Sequence, residues 1–206
     1  MENLSLIATV SFIHLLALIS PGPDFIVACR NSIQYSKKAG LWTAVGFGIG
    51  VGVHICYAVF GLSWLVSQSE YAFNIIRYMG AGYLIYLGIT SIISNKIFST
   101  LSERQNKLSI KWFEAVANGL FTNLLNPKAT LFFISLFTLV VSPDVDYMVM
   151  IFLSFVLIGT TILWFSLVAI FLSQNKMRAL FERFQLKFNL FFGIILVLAG
   201  IGVGWF

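Results

Sequence analysis

Six stretches of this chain, residues 4–33, 41–66, 71–94, 112–141, 147–172 and 188–206, stay apolar for about twenty to thirty residues each. A run of that length crosses the ~30 Å hydrocarbon layer as an α-helix, whereas barrel strands alternate apolar and polar over about ten residues. Lipid gives the backbone no partners, so only helices and closed barrels span it, and the pattern selects helices. Apolar residues form 59% of the 206-residue chain and charged residues only 10%, against roughly 25% charged in soluble domains. A water-soluble globule is excluded. The runs leave room for short connections alone, so the sequence reads as one all-α, polytopic domain over 1–206 with six transmembrane helices in the lipid bilayer.

The formal charge of +5 does not point to nucleic acid, which needs a basic face in water. Eleven of the thirteen basic residues fall in alternate connections: Arg30, Lys37 and Lys38, then Lys96, Arg104, Lys107 and Lys111, then Lys176, Arg178, Arg183 and Lys187. The intervening connections carry Glu70, Asp144 and Asp146. By the positive-inside rule both termini lie outside. Trp42 and Trp64 stand 22 residues apart, about 33 Å of helix, and mark the two interfaces of the second span. Trp164, mid-span, reads as packing. Cys29 and Cys56 lack any paired spacing and read as buried packing residues, with neither a disulfide nor a metal site implied. No basic residue precedes Arg30 and the first run ends in Ser20-Pro21-Gly22-Pro23, so it is not expected to be a removable signal peptide.

Three spans per half make the second half run inverted relative to the first, the plan of many carriers, with repeats at approximately 1–103 and 104–206. Spans 1 and 4 are both interrupted, at Ser20-Pro21-Gly22-Pro23-Asp24 and at Asn126-Pro127-Lys128, and Pro21 and Pro127 stand 106 positions apart. Each proline removes an amide donor and frees the carbonyl four residues back: Ala17 and Ile19 in the first span, Asn123 in the fourth. Ser20 and Asn126 are good N-caps before proline at the first helical position. The expectation is a restarted half-helix at each break, whose unpaired amides and positive dipole end suit a carboxylate.

Asp24 and Lys128 adjoin these breaks, and charges within a span are expensive and functional by default. Opposite charges match the two ends of an amino-acid zwitterion; alternatively the two simply pair with each other. Candidate substrate-binding residues are Asp24, Pro21, Gly22, Asn126, Lys128 and Asn123. Candidates for proton coupling are Asp24, His14 and His54, the histidines being titratable groups inside spans. Asn118, Thr122, Asn123 and Ser135 either line a cavity or satisfy nearby backbone, and Arg77 is expected to snorkel outward. Gly46, Gly48, Gly50 and Gly52 on span 2, and Gly200 with Gly204 on span 6, form small-residue faces for close helix contact, within the chain or between the copies of a homodimer.

Ser20-Pro21-Gly22-Pro23-Asp24, the glycine-rich Gly46 to Gly52, Gly80-Ala81-Gly82-Tyr83-Leu84-Ile85-Tyr86-Leu87-Gly88 and Asn123-Leu124-Leu125-Asn126-Pro127-Lys128-Ala129 occur in this order over nearly the whole chain. In this the chain resembles the LysE/RhtB family of amino-acid exporters, nearer its homoserine and threonine branch than its lysine exporters. The resemblance implies a transporter domain of the bacterial inner (cytoplasmic) membrane, termini periplasmic, that exports a small amino acid or derivative using the proton gradient, without ATP or cofactor. Metal-cation efflux is an alternative, for which two histidines, two separated cysteines and one early span carboxylate make a poor ligand set. A membrane enzyme would need a recognisable constellation, and His-Glu-x-x-His, Gly-x-Ser-x-Gly and paired cysteines are missing. The last alternative is a membrane protein without transport activity. The topology is testable: in a background with Cys29 and Cys56 replaced by serine, a cysteine at position 2 should react with an impermeant maleimide added outside intact cells. Labelling only after lysis would reverse the orientation.

Overall fold

Proline at the start of a helix is harmless, but within an apolar run it cuts the hydrogen-bonded ladder, and two runs of this chain are cut in that way. The structure, a computed structural model, describes residues 2–20, 22–93, 109–137 and 146–205. Among these are α1 (Glu2–Ile19), α2 (Pro23–Gln34), α3 (Lys37–Gln68), α4 (Glu70–Ile93), α5 (Trp112–Leu124), α6 (Pro127–Phe137), α7 (Tyr147–Leu172) and α8 (Asn175–Trp205), with no strand among the described residues. The first apolar run is the pair α1 and α2, bent by 58°, and the fourth is α5 and α6, bent by 61°. Residues 37–61 of α3 and all of α7 are long and apolar enough to cross a membrane unaided, and each bent pair is long and apolar enough as one broken span. The third and sixth runs contribute shorter apolar stretches, Tyr78–Ile93 and Asn189–Gly202.

Three local expectations change. The half-helix after the first break begins at Pro23 with Gly22 as its N-cap, not at Pro21 behind Ser20. A second proline two residues on is equally suited to the first helical position, and the chain uses the later one. At the other break Asn126 caps α6 as expected, its Oδ1 accepting from the Lys128 amide at 3.0 Å. The last helix begins at Asn175, well before position 188, because residues 175–187 contain no glycine or proline to stop it. The basic residues expected in a connection there therefore lie on helix. Cys29 is buried, but Cys56 faces outward on α3, correcting its assignment to packing.

Glycine sets how closely the helices cross. A Cβ at Gly46 would collide with the Val116 carbonyl of α5, and one at Gly119 with the Thr43 carbonyl of α3, so these two helices touch backbone to backbone. The crossing of α4 and α8 is built likewise: a Cβ at Gly88 would sit 2.5 Å from the Gly193 carbonyl, and one at Gly200 2.7 Å from that of Ala81. The glycine faces on α3 and at Gly200 thus make contacts within the chain, while Gly204 and the side chain of Trp64 lie outside the residues whose packing is described. Trp42 meets Trp112 of α5 at 5.6 Å between ring centres.

The buried side chains form two apolar cores. One gathers Val10, Ile13 and Ala17 of α1, Val51 of α3, Leu84 of α4, Phe132, Phe133 and Phe137 of α6 and Leu157 of α7. The other joins Phe25, Ala28 and Cys29 of α2 to Ala44 and Phe47 of α3 and Phe165, Val168 and Leu172 of α7. The outward surface is itself apolar, with Phe12, Ile49, Phe60, Phe155, Leu163 and Leu198 exposed, more apolar surface than a monomer leaves in water and fitting for lipid contact. Gly46→Ala should lower the melting temperature in detergent, since over-packing a close contact costs about 1–3 kcal/mol. Gly82→Ala, where a Cβ meets nothing within 4 Å, should not, and equal melting of the two variants would refute the close crossing of α3 and α5.

Candidate functional site

Where α1 ends and α2 begins, and where α5 ends and α6 begins, backbone groups are left without their helical partners. The chain supplies partners across the bundle. Ala17, the carbonyl that Pro21 frees, accepts a hydrogen bond from Lys128 Nζ at 3.2 Å, and the Ser20 carbonyl accepts a second from the same ammonium at 2.6 Å. Asn123, the carbonyl that Pro127 frees, accepts from His54 Nε2 of α3 at 3.1 Å and from the Asn126 amide at 3.1 Å. Tyr83 of α4 donates its hydroxyl to the Pro127 carbonyl at 3.2 Å. The Ser20 hydroxyl joins the first break to α4 through Ser91 at 3.2 Å.

Asp24 completes the reciprocal arrangement. It occupies the second position of α2, as Lys128 does in α6, and its carboxylate accepts from Asn123 Nδ2 at 2.7 Å and from Asn126 Nδ2 at 3.0 Å. The charged side chain at the start of each half-helix therefore reaches to the other break. Asp24, Asn123 and Asn126 are buried, at 9%, 2% and 4% exposure, so two amide donors hold a carboxylate that water does not reach freely. The hydrogen bonds of Asp24 and Lys128 go to neutral groups, and the direct pairing that the sequence also allowed is replaced by this cross-bracing. Gly22 makes room for it, because a Cβ there would press on Lys128 Cδ at 3.2 Å. Gly50 does the same for Asn123, whose Oδ1 would lie 2.5 Å from a Cβ.

A cavity of about 50 Å³ opens between the two breaks, lined by Asp24, Asn123, Asn126, Lys128, Ser20, Gly22 and His14 and walled by Val51, Phe25, Phe132, Phe133 and Phe165. Its walls come from both apolar cores. His14 donates Nε2–H to the Leu157 carbonyl at 3.2 Å and to Thr161 Oγ1 at 3.0 Å, while its buried Nδ1 has no protein partner. His54 is set apart behind Phe133, on whose ring it stacks at 5.5 Å. Since the Asn123 carbonyl can only accept, His54 carries its proton on Nε2 and its Nδ1 accepts from the Tyr57 hydroxyl.

Of the residues singled out from sequence, Asp24, Gly22, Asn123, Asn126, Lys128 and His14 meet at this cavity. His54 serves the backbone of the break instead, and Pro21 lies outside the described residues, as does the side chain of Arg77. Thr122 and Ser135 bond back to the Asn118 and Leu131 carbonyls, the backbone role that was the alternative for them. Sequence reading missed the Ser20 carbonyl, Tyr83 and the aromatic walls. The closeness of Asn123 and Asn126 on either side of the end of α5 was the one available signal that they act together. Among the described residues no group of three or more His, Cys, Asp or Glu could hold a metal ion.

A profile described as LysE type translocator matches residues 15–204. The chain belongs to this family. Similar relatives include the uncharacterized membrane protein YrhP of Bacillus subtilis, 30% identical with 97% of this chain and 98% of the relative covered. The threonine efflux protein of Escherichia coli K12 is 29% identical, with 97% of each chain covered. No solved structure matches the chain. For this translocator, Asn123→Leu should lower stability in detergent by about 1.5–3 kcal/mol, the usual loss when a charged group forfeits a hydrogen bond. A variant melting with the native protein would contradict the buried bond to Asp24.

Proposed function

We propose that this translocator is a secondary carrier that exports a small amino acid or amino-acid derivative across the bacterial inner membrane, driven by the proton gradient. The observation that carries the reading is the placement of opposite charges, Asp24 and Lys128, at equivalent positions of two restarted half-helices that share one cavity. An amino acid presents an ammonium and a carboxylate a few ångströms apart. Asp24 offers the ammonium an acceptor, and the start of α2, which no side chain caps, offers the carboxylate the positive end of a helix dipole. Gly22, Asn123 and Asn126 shape that space, and Pro21 belongs to the same break. The E. coli relative named for threonine efflux makes threonine the first substrate to try.

The six runs are taken as six spans in two inverted repeats, about 1–103 and 104–206, with both termini periplasmic. Support comes from the matching bends of 58° and 61°. It comes also from the packing of α3 on α7 and α4 on α8, equivalent helices of the two halves, and from the reciprocal contacts of α3 with α6 and α7 with α2. The half-helices enclose a cavity of about 50 Å³ between them. Substrate enters when the half-helices part, and is exposed alternately to the two sides.

Proteoliposomes preloaded with unlabelled L-threonine should accumulate the labelled amino acid by counterflow. Asp24→Asn should reduce this at least about tenfold with insertion unchanged, since one lost charge-assisted hydrogen bond is worth that factor or more. Counterflow at the native rate in that variant would reject the assignment of Asp24, and no counterflow of any of the twenty amino acids by the native chain would reject amino-acid export.

A further inference from the structure

Lys128 is a cation held by acceptors that would serve any cation. Its ammonium sits on the Ala17 and Ser20 carbonyls, which belong to the negative end of the α1 dipole, and shares its cavity with the Asp24 carboxylate. The α-ammonium of an amino acid is chemically the same group, with three N–H donors and a unit charge. Two such cations cannot both sit on the same two carbonyls, and at a buried site their repulsion is little screened. Broken-helix carbonyls of this kind are where coupling cations bind in carriers built on interrupted helices. Here a tethered side chain already occupies them.

We propose that Lys128 is an internal competitor of the substrate's ammonium, and that exchange between the two couples export to the proton gradient. The inference rests on the amino-acid export reading. On the loading side the substrate ammonium takes the Ala17 and Ser20 carbonyls beside Asp24, and Lys128 passes one proton to water on that side, leaving a neutral amine. After the substrate departs on the far side, the amine takes one proton from water there and its ammonium returns to the carbonyls. One proton moves inward for each amino acid moved outward, and no other reactant is needed. From α1 and α2 the titratable groups facing this ammonium are His14 and Asp24. On α3 and α4, His54 with Tyr57, and Tyr83, are engaged with each other or with the backbone of the second break and stand outside the cavity lining. From α5 it is faced by the neutral Asn123.

The test uses the full chain in proteoliposomes with labelled L-threonine and an entrapped pH-sensitive dye. In the native protein, threonine leaving one side should drive protons the opposite way. Lys128→Met should lower pH-driven threonine transport and threonine-evoked proton movement at least about tenfold more than it lowers counterflow, a split within the usual range of coupling. Lys128→Arg, whose guanidinium does not release its proton, should lose counterflow as well. The proposal is overturned by native pH-driven transport in either variant, or by loss of counterflow in Lys128→Met, which would make the lysine a direct ligand of substrate. If neither variant inserts, the dye decides alone: threonine movement without opposed proton movement in the native protein overturns the coupling and leaves export standing. A chain that moves no amino acid at all overturns the export reading first.

Discussion

An unpaired backbone carbonyl in a medium without water must find a donor, and this requirement organises the molecule. Two apolar runs contain prolines, and each break leaves carbonyls that the helix can no longer satisfy. The donors come from the opposite half of the chain: Lys128 for Ala17 and Ser20, and His54 for Asn123, while Tyr83 adds a bond to the Pro127 carbonyl at the head of α6. Asp24 returns the arrangement by accepting from the two asparagines that flank the second break. Neither break can change shape without disturbing the other, so two local interruptions become one coupled unit at the centre of the bundle.

Much of this was legible because it follows from local chemistry. The seventh helix has the bounds its hydropathy gave, 147–172. Proline identified the Ala17 and Asn123 carbonyls as needing partners, and asparagine before proline identified the cap of α6. What was not legible depends on choices that local rules leave equal, or on meetings between distant segments. Ser20-Pro21 and Gly22-Pro23 are both acceptable helix starts, and only the space that Lys128 needs beside Gly22 separates them. Nothing in positions 54 or 83 announces a partner at 123 or 127. The glycines at 46 and 200 were readable as contact faces, but which helix each would meet, and the part played by Gly88 and Gly193, required the assembled bundle.

The relatives and the geometry speak to different levels. Family membership bears on the kind of protein, since one relative is named for threonine efflux, while the cavity bears on which atoms meet a guest. Asp24 and Lys128 are both held by neutral groups. Hydrogen bonds to neutral partners can be surrendered and remade without separating an ion pair in a low dielectric, which is the costlier operation.

The two apolar cores have a final mechanical meaning. One is built mainly on α1, α4 and α6, the other on α2, with α3 and α7 running through both, and the polar breaks lie along the line where they meet. A globule with a single interior must loosen its packing to admit a guest. Here the polar breaks lie between two separate interiors, so the central cavity takes its walls from both without opening a void inside either.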